Sequence, residues 1–350
     1  MIHESVLNRE TIADLLCCLY GLGEVGEITR LPGGRAGIYL VCCGQERYVL
    51  KEFQRGYSRR SIEREPGICA HLRAAGIAAP VFVQTRKGGV VHRHKNRQLT
   101  LQHYIEGTTL PIHQAPGWLM EETAALLGRI HGALGDYPLR RYEFTPNWLG
   151  GELLGRKAKQ LEGYIAAAEK DHGPLARQMA ADLRYKLSLL PSIEGADYSR
   201  KRITFTNSHG DYSHLQLLCG ENHVNAVLDF ASACNLPAAW EILRSFTDAH
   251  PGCRHGDMNL AALKCYLTQY LRHFPLKEND LRYMFSLYAA QLTLSAYGYK
   301  EYFQDDNLER EQLLAFGVWR TQLLRGLQRH GKDYAAELLR HFKGALQDEV

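Results

Sequence analysis

Apolar and polar positions change period along the chain, and that change divides it. Ile28 to Leu31 reads as a short strand. Ile38 to Cys43 reads as a second, and Arg47 to Phe53 alternates as a half-buried strand does. A further strand pair ends at Leu99 to Gly107. Beyond it the apolar residues recur every three or four positions. In Leu119 to Leu134, for example, Thr123, Leu126, Leu127, Ile130 and Leu134 share a face, with Glu121 and Glu122 early, where a helix dipole favours anions. The same period predicts helices over Leu153 to Glu169, Leu175 to Leu190, a start near Ala238 to Arg244, Leu260 to Phe274, Asp280 to Phe303, Leu308 to Gln328 and Tyr334 to Leu346. One β interruption lies inside this helical region. The apolar runs around Leu215 to Leu218 and Val224 to Leu228 flank the polar bend Cys219-Gly220-Glu221-Asn222 and predict a hairpin.

Two aspartates, eighteen residues apart, bracket that hairpin. Asp211 sits in the polar turn His209-Gly210-Asp211, where a carboxylate can meet a hydroxyl. Asp229 follows an apolar segment that would deliver it to the end of a buried strand. One carboxylate to orient a nucleophile and one to hold a metal is the division phosphoryl transfer needs, because the protein mostly positions groups and neutralises charge.

Length and composition fit such an enzyme. A chain of 350 residues is long enough for two sizeable cores, and 45% hydrophobic with 23% charged residues excludes a disordered polymer. A net charge of +4, with no basic stretch interleaved with aromatics, gives no reason to expect nucleic acid. The Arg55, Arg59, Arg60, Arg64 cluster reads as a solvated or phosphate-proximal patch. No apolar run reaches the ~18 residues a membrane span requires, so no membrane partner is expected. The N-terminus carries acid early and lacks a signal-peptide core. Nine cysteines, mostly within apolar segments, read as small core residues in a reducing cytoplasm. His209, His214, Cys219 and His223 lack the paired spacing of a zinc site.

His209-Gly210-Asp211-Tyr212-Ser213-His214-Leu215-Gln216-Leu217-Leu218, followed by Val227-Leu228-Asp229-Phe230, resembles the catalytic loop and metal-binding aspartate of the aminoglycoside phosphotransferase and choline kinase superfamily. The resemblance covers roughly residues 25 to 250. It implies an α+β, protein-kinase-like two-lobed fold: a small antiparallel β-sheet N-lobe with one main helix over 1–105, and a larger, mostly helical C-lobe over 106–350. The lobe boundary would fall near Glu106 to Pro116. It also implies ATP and Mg2+ as cofactors and a small-molecule hydroxyl as acceptor. Asp211 corresponds to the catalytic aspartate and Asp229 to a magnesium ligand. Gln216 stands where the family has a metal-binding Asn; it keeps the amide but adds a methylene, and magnesium wants near-octahedral oxygens at about 2.0–2.1 Å. A pseudokinase or spore-coat-type binding protein is the alternative that this departure raises.

The rest of a nucleotide site follows in order from the same resemblance. Gly33, Gly34 and Gly37 lie in a flexible turn between strands, where glycine lets backbone N–H groups approach phosphates. Lys51, near the end of the third strand, corresponds to the lysine that reaches the phosphates. Glu65 corresponds to the glutamate that fixes it, with Glu63 as the second choice. Pro66 lacks an N–H and clashes with a preceding turn, so it predicts a helix beginning nearby, with Glu65 at its start. Tyr104-Ile105-Glu106-Gly107 resembles the family's hinge, which would turn the His103 carbonyl and the Ile105 N–H toward adenine. The acceptor stays open between aminoglycoside-, choline- and homoserine-like molecules, with Tyr288, Tyr297, Tyr299, Tyr302, Asp305 and Asp306 as candidate pocket residues.

Overall fold

A computed structural model describes residues 5–31, 37–54, 58–139, 151–193, 198–303 and 310–347. The described residues fall into two compact units. The first takes those within 5–108 together with Gln216–Ser232; the second takes those of Thr109–Leu215, Ala233–Asp305 and Glu309–Val350.

In the first unit, helix α1 (Arg9–Asp14) runs on through a π-helical stretch, Leu15–Tyr20, that the sequence reading did not identify. Strands β1 (Val25–Leu31), β2 (Gly37–Cys43) and β3 (Glu46–Phe53) follow, then helix α2 (Arg59–Ala74) and strands β4 (Val91–His94) and β5 (Arg97–His103). The strands form one antiparallel sheet in the order β1-β2-β3-β5-β4. Tyr39, Val41 and Cys43 alternate inward along β2. They join Tyr48, Leu50, Leu99 and Leu101 in a core that Ile12, Leu16 and Tyr20 close from the N-terminal helix.

Helix α2 departs from expectation. Ser58 caps it by accepting from the Ser61 N–H, so it starts at Arg59 and Pro66 lies in its interior. Glu65 is therefore a fully buried mid-helix residue, not a helix start. A proline there forfeits one helical hydrogen bond to the Ile62 carbonyl. Ile62, which is buried with Phe53, Val91 and Ala231, and Ile68, Cys69 and Leu72 of the same apolar face offset that loss.

The second unit holds helices α3 (Gly117–Leu134), α4 (Gly151–Lys170) and α5 (Ala176–Ile193), then strand β6 (Phe205–Ser208). The chain next contributes the hairpin β7 (Leu217–Cys219) and β8 (Val224–Val227) to the first unit. It returns with β9 (Cys234–Pro237), which pairs antiparallel with β6, and with helices α6 (Ala238–Ala249), α7 (Leu260–Leu271), α8 (Glu278–Leu294), α9 (Tyr299–Tyr302) and α10 (Arg310–His341). At Gly128 of α3, a Cβ would come within 2.8 Å of the Tyr270 carbonyl of α7, so glycine permits that close approach. Leu161 and Ile165 of α4 pack with Met179 and Leu183 of α5, Ala290 of α8 and Leu314 of α10.

Two helical expectations need correction. The stretch predicted as one helix from Asp280 to Phe303 breaks after Leu294, where Ser295 turns extended and Gly298 adopts a φ of +95°. The two helices predicted from Leu308 to Gln328 and from Tyr334 to Leu346 are one, α10, over Arg310–His341; Leu308 itself lies outside the described residues. His330, Gly331 and Lys332 read as a gap in the apolar period, but Gly331 packs against Phe285, and a lone glycine costs a helix only about 1 kcal/mol.

Candidate active site

The first unit gathers three of the predicted residues. Lys51, on β3, is half-buried, and its Nζ donates to Asp229 Oδ1 at 2.7 Å across 178 residues of sequence. The same ammonium lies 4.7 Å from the centre of the Phe53 ring. Asp229 has a φ of +64°, the left-handed region that few residues other than glycine occupy. Such backbone persists where the surroundings hold it. Here the residues on either side are tied down. The Leu228 N–H donates to the Gln216 carbonyl at 2.8 Å, and the Phe230 N–H donates to Glu65 Oε1 at 2.9 Å. The Val227 N–H is held by the Ala78 carbonyl at 3.0 Å.

Glu65 is fully buried, and among the described residues its Oε2 has no hydrogen-bond partner. Burial pushes its carboxyl up to about 7, against the Lys51 charge, which works to keep it ionised. It acts on Lys51 through this charge and on the Asp229 turn through its hydrogen bond.

The nucleotide-contacting candidates are placed as follows. Gly33 and Gly34 lie outside the described residues. Gly37 opens β2, where a Cβ would come within 3.0 Å of Glu52 Oε2 and 3.2 Å of the Tyr39 ring, so glycine keeps that corner clear. His103 ends β5, its N–H donating to the Val81 carbonyl at 2.9 Å, and the Tyr104 N–H donates to the Arg47 carbonyl at 3.0 Å. The His103 carbonyl points along the same edge as its N–H, away from β3, and Ile105 follows where the strand has ended.

Asp211 belongs to the second unit. Its turn is anchored from below by buried groups. The Tyr212 N–H donates to Glu241 Oε1 at 3.2 Å, and the Tyr212 hydroxyl donates to the Thr123 carbonyl at 2.9 Å. Ser208 also donates to Glu241, and His131 Nε2 meets Ser208 Oγ at 2.6 Å. Burial works to raise the Glu241 pKa, but the His131 hydrogen bond and charge outweigh it and hold the group below the usual carboxylate range. His209 is buried, and its Nδ1 accepts from the Asp211 N–H at 3.3 Å.

The sequence reading missed Arg244. Its Nη2 donates to Asp211 Oδ1 at 2.5 Å, its Nη1 donates to the Tyr212 carbonyl at 3.1 Å, and its Nε lies 3.9 Å from Asp248. Burial works to lower its pKa, and the Asp211 and Asp248 charges more than reverse that. The only sequence signal was the i, i+4 spacing of Arg244 and Asp248 on one helix face. Of the aromatic acceptor candidates, Tyr288 and Tyr299 are core residues, while Tyr297 and Tyr302 are half-buried; Asp305 and Asp306 lie outside the described residues.

Gln216 and Asp229 offer an amide and a carboxylate oxygen, a hard donor set that suits magnesium, which usually binds one or two protein oxygens and completes its shell with water and phosphate. Among the described residues, no group of three or more His, Cys, Asp and Glu side chains is placed to hold a metal alone.

A curated homoserine kinase of Methylobacterium nodulans (strain LMG 21967 / CNCM I-2342 / ORS 2060) is 26% identical over 204 residues, covering 56% of this chain and 55% of that protein. The match thus spans about half the length of that relative. A spectinomycin phosphotransferase solved with ADP and spectinomycin superposes with a TM-score of 0.62 at 15% identity, covering 93% of this chain and all of that one. An amicoumacin kinase solved with AMP-PNP and Ca2+ gives 0.61 at 15% identity, covering 91% and 94%. At such identities these likenesses speak for the fold. The model of the phosphotransferase enzyme family matches residues 27–270, well over half of the sequence, and the chain therefore belongs to that family, with its α+β, protein-kinase-like fold.

Proposed function

We propose that the protein transfers the γ-phosphoryl group of ATP to a hydroxyl of a small molecule. The observation that carries this reading is the pairing of Lys51 with Asp229, with the Asp229 turn held in left-handed backbone by Gln216 and Glu65. A lysine and a carboxylate brought together on a strained turn are one cation for phosphate oxygens and one oxygen donor for a metal. The relatives solved with ADP and AMP-PNP support a nucleoside triphosphate as donor.

In this mechanism Lys51 neutralises phosphate charge, and the Glu65 charge helps keep its ammonium in place. The His103 carbonyl and Ile105 N–H receive the adenine, and Gly37, at the start of β2, lets the backbone approach the phosphates. Asp229 and Gln216 are the residues that would hold Mg2+, which when bound supplies positive charge to the phosphates. Asp211, oriented by Arg244, accepts the acceptor's hydroxyl proton. The acceptor oxygen forms its bond to the γ-phosphorus as the bond to the β-phosphate oxygen breaks, and ADP leaves. Because the proton moves late in such a loose transition state, Asp211 needs good aim more than strong basicity.

No disulfide joins the nine cysteines, and no described helix is long and apolar enough to cross a membrane.

Asp211→Ala tests the assignment. Transfer to any acceptor should fall by about 100- to 10,000-fold, while the affinity for AMP-PNP measured by calorimetry stays within a few-fold of wild type. Retained activity would show that Asp211 is not the proton acceptor.

A further inference from the structure

Arg320, on α10, is a buried cation whose hydrogen bonds go to neutral groups. It is 9% exposed. Its Nη1 donates to Ser295 Oγ at 3.0 Å and its Nη2 to Gln291 Oε1 at 3.0 Å. Among the described residues it makes no ion pair with a carboxylate, whereas Arg97 has Glu52, Arg325 has Asp182 and Arg244 has Asp211. Taking a guanidinium out of water without an opposite charge costs several kcal/mol, so such a group is normally completed by an anion.

Its neighbours deepen the imbalance. Lys186 is 1% exposed, and its Nζ donates to the Leu292 carbonyl at 2.6 Å; burial and then the Arg320 charge push its pKa well down. Burial likewise lowers the pKa of Arg320, against the opposing influence of Tyr288 and Asp248. Asp248 is already shared with Arg244. The carboxylate whose charge acts on Arg320 is thus divided between two guanidinium groups. Gln291 and Ser295, which hold it, are half-buried and so lie toward the surface.

The same electrostatic neighbourhood leads to Asp211. Arg320 and Arg244 act on each other and both act on Asp248, while Arg244 binds Asp211 directly. We propose that the acceptor of this enzyme carries a carboxylate and that Arg320, with Gln291 and Ser295, is the site that binds it. The inference deepens the phosphotransfer reading and rests on it only for the place of the hydroxyl. A small hydroxy acid fits, its hydroxyl end at Asp211 and its carboxylate at Arg320. An acceptor bearing only amines would set its own charge against that of Arg320.

The test compares three molecules that share a short hydroxyalkyl skeleton: L-homoserine, 4-hydroxybutyrate, and 3-aminopropan-1-ol, which lacks the carboxylate. Each is titrated by calorimetry into the full chain at millimolar concentration and offered as acceptor with ATP and magnesium. The two carboxylates should bind, and the amino alcohol should bind at least about tenfold more weakly. Arg320→Met should weaken the carboxylates by about 10- to 100-fold and leave the amino alcohol unchanged. Gln291→Glu gives Arg320 a carboxylate from the protein itself, so it should abolish binding of both acids without lowering the melting temperature. That variant separates a recognition site from a merely structural arginine. Equal binding of all three probes, binding of none, or acid binding that survives both substitutions would overturn the proposal. Acid binding without phosphorylation would keep the carboxylate site and sink the phosphotransfer reading, whereas turnover of the amino alcohol alone would do the reverse.

Discussion

His113 and Asp248 show how two buried residues oppose each other in pH. His113 has a φ of +58°, its backbone N–H donates to the Asp248 carbonyl at 2.9 Å, and its ring packs 4.5 Å from that of Trp319. Burial, helped by the Arg254 charge, lowers its pKa to about 4. Burial raises Asp248 to about 6, against Arg244. Between pH 4 and 6 the unfolded chain holds a proton on the histidine that the folded chain has lost, so this group's contribution to stability rises with pH. For Asp248 the folded chain holds the proton that the unfolded chain has lost, and its contribution falls with pH. Each slope approaches 1.4 kcal/mol per pH unit, and together they nearly cancel. His113→Asn, which tolerates left-handed backbone, should therefore be more destabilising at pH 6 than at pH 4, and Asp248→Asn less so. Urea denaturation of both variants and wild type at the two pH values checks the opposite signs; parallel shifts would refute the account. Neither residue announces this in the sequence. Lys51, Asp211 and Asp229 stand out because a charge beside an apolar run has few bland uses. Arg244, Arg320 and His113 do not, because their partners come from helices far along the chain.

At the scale of elements, the strands of the first unit and most helix limits were legible because period and turn chemistry are local, whereas the short β6 and β9, which pair across the hairpin's two flanks, were not read. What misled was punctuation. Pro66 read as a helix start, yet the apolar face of α2 buries enough to carry a proline through its middle. The α8–α9 break carried the opposite lesson, since Gly298 sits in a stretch whose apolar spacing continues on both sides. Its requirement is tertiary. A Cβ there would collide with the Leu313 carbonyl and lie 2.7 Å from Gly317 Cα, and its φ of +95° suits only glycine. The close crossing of this turn over α10 seats Tyr299, whose single hydroxyl proton lies between two acceptors, Asp182 Oδ2 at 2.8 Å and the Gly317 carbonyl at 3.0 Å. Gly298→Ala should cost about 3 kcal/mol or more in urea denaturation, whereas alanine at exposed Gly155 within α4, where nothing lies in the way, should stabilise by up to about 1 kcal/mol. A gain or no change at Gly298, as at Gly155, would show that the crossing is looser than the contacts require.

Across the whole chain, the first unit is not one stretch of sequence. Gln216–Ser232 belongs to it although the residues on either side belong to the second. The sequence identified this hairpin and its aspartate but gave no local sign of which compact body would own it, because ownership is settled by contacts 165 and 178 residues away in sequence, Glu65 to Phe230 and Lys51 to Asp229. Closing so long a loop costs little more than closing a shorter one, since the entropy grows only as the logarithm of length. Two charge-assisted contacts and the burial of Ala231 beside Phe53 and Ile62 outweigh it. The segment should then open with the sheet that holds it. In native-state hydrogen exchange under mild denaturant, the amides of Val227, Leu228 and Phe230 should lose protection together with those of β3 and α2. Glu65→Ala should speed exchange at Phe230 by at least about tenfold, since the removed bond is to a charged group, and should leave the α6 amides unchanged. Should those three amides instead follow the opening of α6, the hairpin would belong energetically to the helical unit. The Lys51–Asp229 pair would then be a contact that the sheet receives and does not hold.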